Sequence, residues 1–213
     1  MDHNQNLDLL IQELQKKLPT KTLPGAAHRF FRWILVSILY NLIGISFLGM
    51  ARSPLTLSHV SMEWMEIALL IAILVTASLT ALMISVPGQE QKHKKKWITG
   101  MLLLWPLLLV ALYIAVSDKI DASQAWYGGC TKHLLLFFIP PFVLLLWMLK
   151  KAAPTTPLWT SICGTLGPLA LAALSVKWTC PSDNGLHMLI SHSLPLLLIA
   201  GVLLWPIKKS LRW

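Results

Sequence analysis

Residues 30–50 read FFRWILVSILYNLIGISFLGM, and the reading of that run decides the fold. Its one charge, Arg32, lies at the start. The hydrocarbon layer of a bilayer is about 30 Å thick, so a helix needs roughly 20 mostly apolar residues to cross it, with every backbone polar group paired inside the helix. Residues 30–50 meet that test, and so do 64–86, 97–116, 133–149, 158–176 and 187–207. The whole chain agrees: 55% of its 213 residues are hydrophobic and only 13% charged, with a mean hydropathy of +0.64, far from a soluble average. We therefore expect an all-α integral membrane protein, a bundle of six transmembrane helices joined by short loops. Residues 1–29 stand apart as a polar leader, and residues 30–213 form the transmembrane domain. The leader is acidic at its start, with no apolar core or small-residue cleavage site, so it is not a secretory signal and the first span is expected to direct its own insertion.

Charge sets the expected orientation. Fourteen Lys and Arg fall on one side of the six spans: Lys16, Lys17, Lys21, Arg29 and Arg32, then Lys92 with Lys94 to Lys96, Lys150 and Lys151, and Lys208, Lys209 and Arg212. The opposite side holds only Arg52, Lys119, Lys132 and Lys177, together with the acids Glu63, Glu66, Asp118, Asp121 and Asp183. The positive side faces the cytoplasm, which puts both termini inside. The net charge of +9 arises from clusters abutting apolar spans. Such clusters meet anionic lipid head groups, so no direct contact with nucleic acid is expected. Nine of the tryptophans, Trp33 among them, fall mostly near span ends and read as an interfacial belt.

Inside the spans the polar groups are few. Asn41, Thr76, Ser78 and Thr80 read as interhelical hydrogen-bond groups, and Cys163, Gly164 and Gly167 as small packing residues of the fifth span. Pro140 and Pro141 interrupt the fourth span and Pro106 the third. No charge lies deep in a span, which argues against a pump or coupled transporter, and no catalytic group is evident, so the chain is not expected to be an enzyme.

The leader sequence NQNLDLLIQELQKKL carries Leu7, Leu10, Ile11, Leu14 and Leu18 as one helical stripe, with Asp8 near its start and Lys16 and Lys17 at its end. A short helix of this kind is marginal alone. Asp2, Asp8 and Glu13 would face anionic head groups if it lay on the bilayer, so its stripe is better suited to the groove of a protein partner.

Most of the soft-ligand chemistry sits elsewhere, in TCPSDNGLHMLISH at 179–192, with Cys180, Asp183, His187 and His192; a second outward cysteine, Cys130, lies in another loop. Cys130 and Cys180 could form a disulfide outside the cytoplasm, or serve as thiolate ligands of a soft metal ion. On an ideal α-helix His187 and His192, five positions apart, point about 140° apart with a rise of about 7.5 Å. They are therefore not expected to share an ion; one of them would join Cys180, with Cys130 or His133 from the other loop. A structural disulfide with hydrogen-bonded histidines accounts for the same residues.

The stretch CPSDNGLHMLISH, the terminal LRW, the VPG at 86–88 and LLLWMLKKAAPTTP at 144–157 resemble the NrsF family of bacterial inner-membrane anti-sigma factors. Met188 after the first histidine departs from the family's His-Leu pair. The resemblance implies that the leader binds and sequesters an extracytoplasmic-function sigma factor, through residues such as Leu7, Asp8, Leu10, Ile11, Leu14 and Leu18. It also implies that Cys130 and Cys180 take part in sensing heavy metal or oxidative stress, with no resident cofactor and at most a transient soft metal ion as the signal. Two rival readings stand beside it: a thiol- or quinone-linked membrane redox protein using the same cysteines, and a small metal transporter.

Overall fold

In the computed structural model of this chain, residues 23–50, 61–86, 100, 128–180 and 187–211 are described. They form five α-helices: α1 (Ala26–Leu48), α2 (Ser61–Ile84), α3 (Gly128–Lys150), α4 (Pro157–Thr179) and α5 (Leu194–Ser210). A π-helical segment, Met188–Ser193, leads into α5. Five helices among the described residues are long and apolar enough to cross a membrane, the last counted from within the π-helical segment. They stand where hydropathy places 30–50, 64–86, 133–149, 158–176 and 187–207, with ends shifted by a few residues. The leader stripe, residues 97–116 apart from Gly100, and Asp183 lie outside the described residues.

Side-chain contacts fix the direction of each helix. Arg29, at the start of α1, donates at 2.6 Å to the Leu82 carbonyl at the end of α2. Further along α1, Trp33 and Tyr40 meet Pro141 and Leu136, so α1 also runs against α3. Gly167 of α4 lies against Ser78, and Lys177 pairs with Glu66 at 2.5 Å, which makes α4 antiparallel to α2. Gly164 against Leu149 and Cys180 against Cys130 do the same for α3. One end of the bundle therefore gathers the start of α1, the ends of α2 and α3, and the start of α4. α5 starts at the opposite end and spans about 25 Å, so it finishes at the first. The first end carries Arg29, Arg32, Lys150, Lys151, Lys208 and Lys209. We call it the basic end.

The helix α4 occupies the centre. Of its most apolar window 78% is buried, against 17% for α1 and 50% for α2. Its small residues permit this, because in lipid close backbone approach replaces the hydrophobic drive that packs soluble helices. A methyl group on Gly167 would strike Ser78 Oγ and come 3.4 Å from the Ser78 backbone nitrogen, so glycine permits this approach without displacement. Cys163 is fully buried in the same helix, as a packing residue should be. Large apolar side chains such as Leu35, Phe47, Leu198 and Val202 stay on the outside, as a surface suited to lipid requires.

Proline, a residue that breaks soluble helices, here sets the links between helices. Pro140 has no N–H for the Leu136 carbonyl four residues back. The Tyr40 hydroxyl of α1 donates to that carbonyl at 3.1 Å. Trp33 Nε1 donates to the Pro141 carbonyl at 2.9 Å. Trp33 is fully buried, so it is a core residue and not a belt anchor; its indole N–H is satisfied by a backbone acceptor that only the bundle interior supplies. The belt is instead represented by Trp64, Trp147 and Trp205, all more than half exposed. At the basic end Lys151 and Lys209 cover the rings of Trp147 and Trp205. Of the small polar groups expected to link helices, Thr76 bonds back to Ala72 within its own helix. Among the described residues the side chains of Asn41 and Ser78 have no hydrogen-bond partner.

Candidate functional site

At the end of the bundle opposite the basic one, four residues from three elements meet. Cys130 lies in the first turn of α3. Cys180 closes α4: its N–H bonds the Val176 carbonyl at 2.8 Å, while its φ of −93° and ψ of 124° turn the chain out of the helix. His187 stands immediately before the π-helical segment, and His192 lies in its last turn. The Cys130 thiol donates to the Cys180 sulfur at 3.3 Å. Cys180 Sγ is 3.2 Å from His187 Nε2. The two imidazoles pack edge to face, with centroids 5.2 Å apart. All four side chains are buried, and one ligand atom from each lies within 4.8 Å of every other.

The structure thus joins four of the five residues singled out in the sequence and overturns one step of that reading. His187 and His192 belong to one cluster, although an α-helix would turn them apart. The cause is the π-helical register: with hydrogen bonds running i→i+5, five residues come close to a full turn, and the two rings return to the same side. A proline accounts for the change of register. Pro195 brings no N–H to the Ser191 carbonyl four residues back. That carbonyl accepts instead from the Thr131 hydroxyl of α3, at 3.2 Å. Thr131 and Pro195 were not among the residues singled out; the signal for them is the proline three positions after His192. His133, one turn along α3 from Cys130, is half-buried and is not part of the four-ligand cluster. The remaining expected site residue, Asp183, and the leader residues Leu7, Asp8, Leu10, Ile11, Leu14 and Leu18 lie outside the described residues.

Three kinds of chemistry are open to such a group. The sulfurs are near enough to be joined by oxidation, which would draw them from 3.3 Å to the roughly 2.05 Å of a disulfide. The His187 ring nitrogen stands within hydrogen-bond reach of the Cys180 sulfur, the geometry of a thiol–imidazole pair. Two thiolates and two imidazoles together suit a borderline or soft cation. Close by, at the same end of the bundle, the largely buried pair of Glu66 and Lys177 ties α2 to α4, three residues before Cys180.

Compared with known proteins, residues 16–213 match the model of one family, described as NrsF, negative regulator of sigma F. No curated protein and no solved structure is significantly similar to the chain.

Proposed function

This chain belongs to the NrsF family, negative regulators of sigma F, and from that premise we propose that it is a membrane-embedded anti-sigma factor whose partner is an extracytoplasmic-function sigma factor. The observation that carries the reading is the family match over residues 16–213. In this reading the segment 1–29 sequesters the sigma factor through the stripe of Leu7, Asp8, Leu10, Ile11, Leu14 and Leu18. The match begins at residue 16, so the roles of the earlier stripe residues rest on their helical spacing and on the acidic groups that make a membrane surface a poor partner. The protein regulates by binding and carries out no reaction.

The bundle supports an orientation with both termini inside. α1 begins and α5 finishes at the basic end, which the positive-inside rule assigns to the cytoplasm of a bacterial inner membrane. Val86 and Gly128 lie at opposite ends of the bundle, in support of a sixth span at 97–116. The cluster of Cys130, Cys180, His187 and His192 then faces outward. A metal ion or an oxidant engaging Cys130 and Cys180 there would change the leader's affinity for the sigma factor. A coupling of about 1–3 kcal/mol corresponds to a roughly 5- to 150-fold change. Contacts for such a signal run without a gap from Cys180 along α4, across Gly167 to Ser78 of α2, and from Leu82 and Ser85 to Arg29, four residues inside α1.

The test is a pull-down from membranes with the full-length protein tagged at its C-terminus. A sigma factor is expected to co-purify, to be released when cadmium chloride or hydrogen peroxide is added, and to be retained under both by Cys180→Ser. If none co-purifies with the unmodified protein, the anti-sigma reading is wrong. If one does but neither agent releases it, the sensing half alone is wrong.

A further inference from the structure

Four buried donor atoms, from two thiols and two imidazoles, lie within 4.8 Å of one another. A tetrahedral zinc-type site has metal–sulfur distances of about 2.3 Å and metal–nitrogen distances of about 2.0–2.1 Å, which set its edges between about 3.3 and 3.8 Å. The Cys130–Cys180 and Cys180–His187 edges are already 3.3 and 3.2 Å. Closing on an ion would part the sulfurs by about 0.5 Å and draw the most distant pair together by about 1.5 Å or less, within the reach of side-chain torsions.

From this geometry we infer that Cys130, Cys180, His187 and His192 form a complete four-ligand site for one divalent cation of the zinc and cadmium class, with His192 brought in by the π-helical register. The inference rests on the reading of Cys130 and Cys180 as a sensing pair and deepens it: it names the class of ion and two further ligands. Charge favours it. Two thiolates cancel the charge of a divalent ion, so the loaded site is neutral, whereas a buried uncompensated charge would be costly. Binding releases two protons, one from each thiol, and leaves both imidazoles neutral: M²⁺ + 2 RSH + 2 His → M(RS)₂(His)₂ + 2 H⁺. The donor set disfavours magnesium and calcium, which take oxygen ligands. Four protein ligands with no open position bind an ion without making it a catalyst. The site also has a mechanical consequence. Cys130 belongs to α3, Cys180 ends α4, and His187 and His192 stay together only while Met188–Ser193 remains π-helical, so an ion held by all four clamps α3, α4 and the entry to α5 in one register.

Cobalt(II) is the probe. Full-length protein, purified in detergent under reducing conditions, is titrated with cobalt chloride and followed by visible absorption. The expected result is saturation at one ion per chain, with the intense d–d bands of tetrahedral cobalt and a sulfur-to-cobalt charge-transfer band, both abolished by zinc or cadmium. X-ray absorption of the zinc form should show two sulfurs at about 2.3 Å and two nitrogens at about 2.0–2.1 Å; this measurement needs no variant. His192→Gln should weaken cobalt binding by more than about 10-fold, the loss typical of disturbing even the shell that supports a metal's ligands. Cys163→Ser, which alters a buried cysteine outside the cluster, should change nothing. Failure to saturate at one ion, a sulfur-free or octahedral spectrum, or undiminished affinity in a His192→Gln protein that keeps its helical circular dichroism would each overturn the site. A sigma-factor pull-down on the same preparations separates the two ideas. A loaded site with no sigma factor bound sinks the regulatory reading only, and peroxide release of a sigma factor from protein that binds no metal sinks the site only.

Discussion

Replacing Tyr40 by Phe is expected to destabilise the bundle by about 1 kcal/mol, and the same replacement is expected to cost almost nothing once Pro140 has been replaced by Ala. The Tyr40 hydroxyl donates to the Leu136 carbonyl at 3.1 Å, the acceptor that Pro140 leaves without its helical donor. Hydrogen bonds between membrane helices are worth about 0.6 kcal/mol on average and up to about 1.7. The upper half of that range applies here, because the deletion strands a carbonyl in an apolar setting, a loss of about 1–3 kcal/mol in general. In Pro140→Ala the new N–H can reach Leu136 within α3, so the tyrosine bond becomes redundant. The predicted coupling between the two substitutions is then nearly the whole effect, about 1 kcal/mol. Reversible unfolding of the unmodified protein, both single variants and the double variant in mixed detergent and dodecyl sulfate micelles, followed by circular dichroism, measures it. A Tyr40→Phe cost that is the same in both backgrounds would refute the claim that Pro140 creates the need for Tyr40.

Two further outcomes follow from the packing of α4. Gly167→Ala should lose about 1 kcal/mol: overpacking costs about 1–3 kcal/mol while the gain in helix propensity returns about 1. Gly167→Leu should lose more, and Ser78→Gly should restore either, since Ser78 supplies the atoms a side chain at 167 would strike; thermal unfolding in detergent reads this, and a tolerated Gly167→Leu would contradict the close approach. Glu66→Gln strands Lys177, which is only 8% exposed, at a cost of about 3 kcal/mol, the low end for a broken buried pair because a lysine near a helix end can extend towards water. Adding Lys177→Met should recover most of that loss in the same assay, and a double variant weaker than Glu66→Gln would show that the pair does more than neutralise itself.

Hydropathy was enough to locate each described span, because the bilayer imposes a length and a polarity on any helix that crosses it. Gly167 was legible as a packing residue for a related reason: in lipid a glycine on a helix face has few uses other than close approach. The partners of each helix were not legible. Nothing in the order of residues says that the Tyr40 hydroxyl serves Leu136 or that Arg29 reaches Leu82, since such links depend on which faces the folded bundle brings together. Trp33 misled because indoles near span ends are usually interfacial, and only the packed structure offers it the Pro141 carbonyl. Cys130 and Cys180 could be placed on one side of the membrane from charge alone, but their contact at 3.3 Å depends on the antiparallel pairing of α3 and α4.

The histidines show where reasoning from a helical wheel stops. A wheel assumes i→i+4 hydrogen bonds, and under that assumption a spacing of five separates two ligands. The assumption fails once a proline withholds a donor and another helix supplies a substitute. Pro195 withholds the donor from Ser191, and the Thr131 hydroxyl takes the acceptor at 3.2 Å. With that carbonyl served from outside its own helix, the segment can widen to the i→i+5 register, and His192 returns over His187. The hydroxyl that supports the register belongs to the residue next to Cys130, so one turn of α3 supplies both a sulfur of the cluster and the bond that brings in its last imidazole. Cluster and register are therefore one structural unit: what displaces the start of α3 moves a ligand and loosens the π-helix together, and what binds all four side chains resists both.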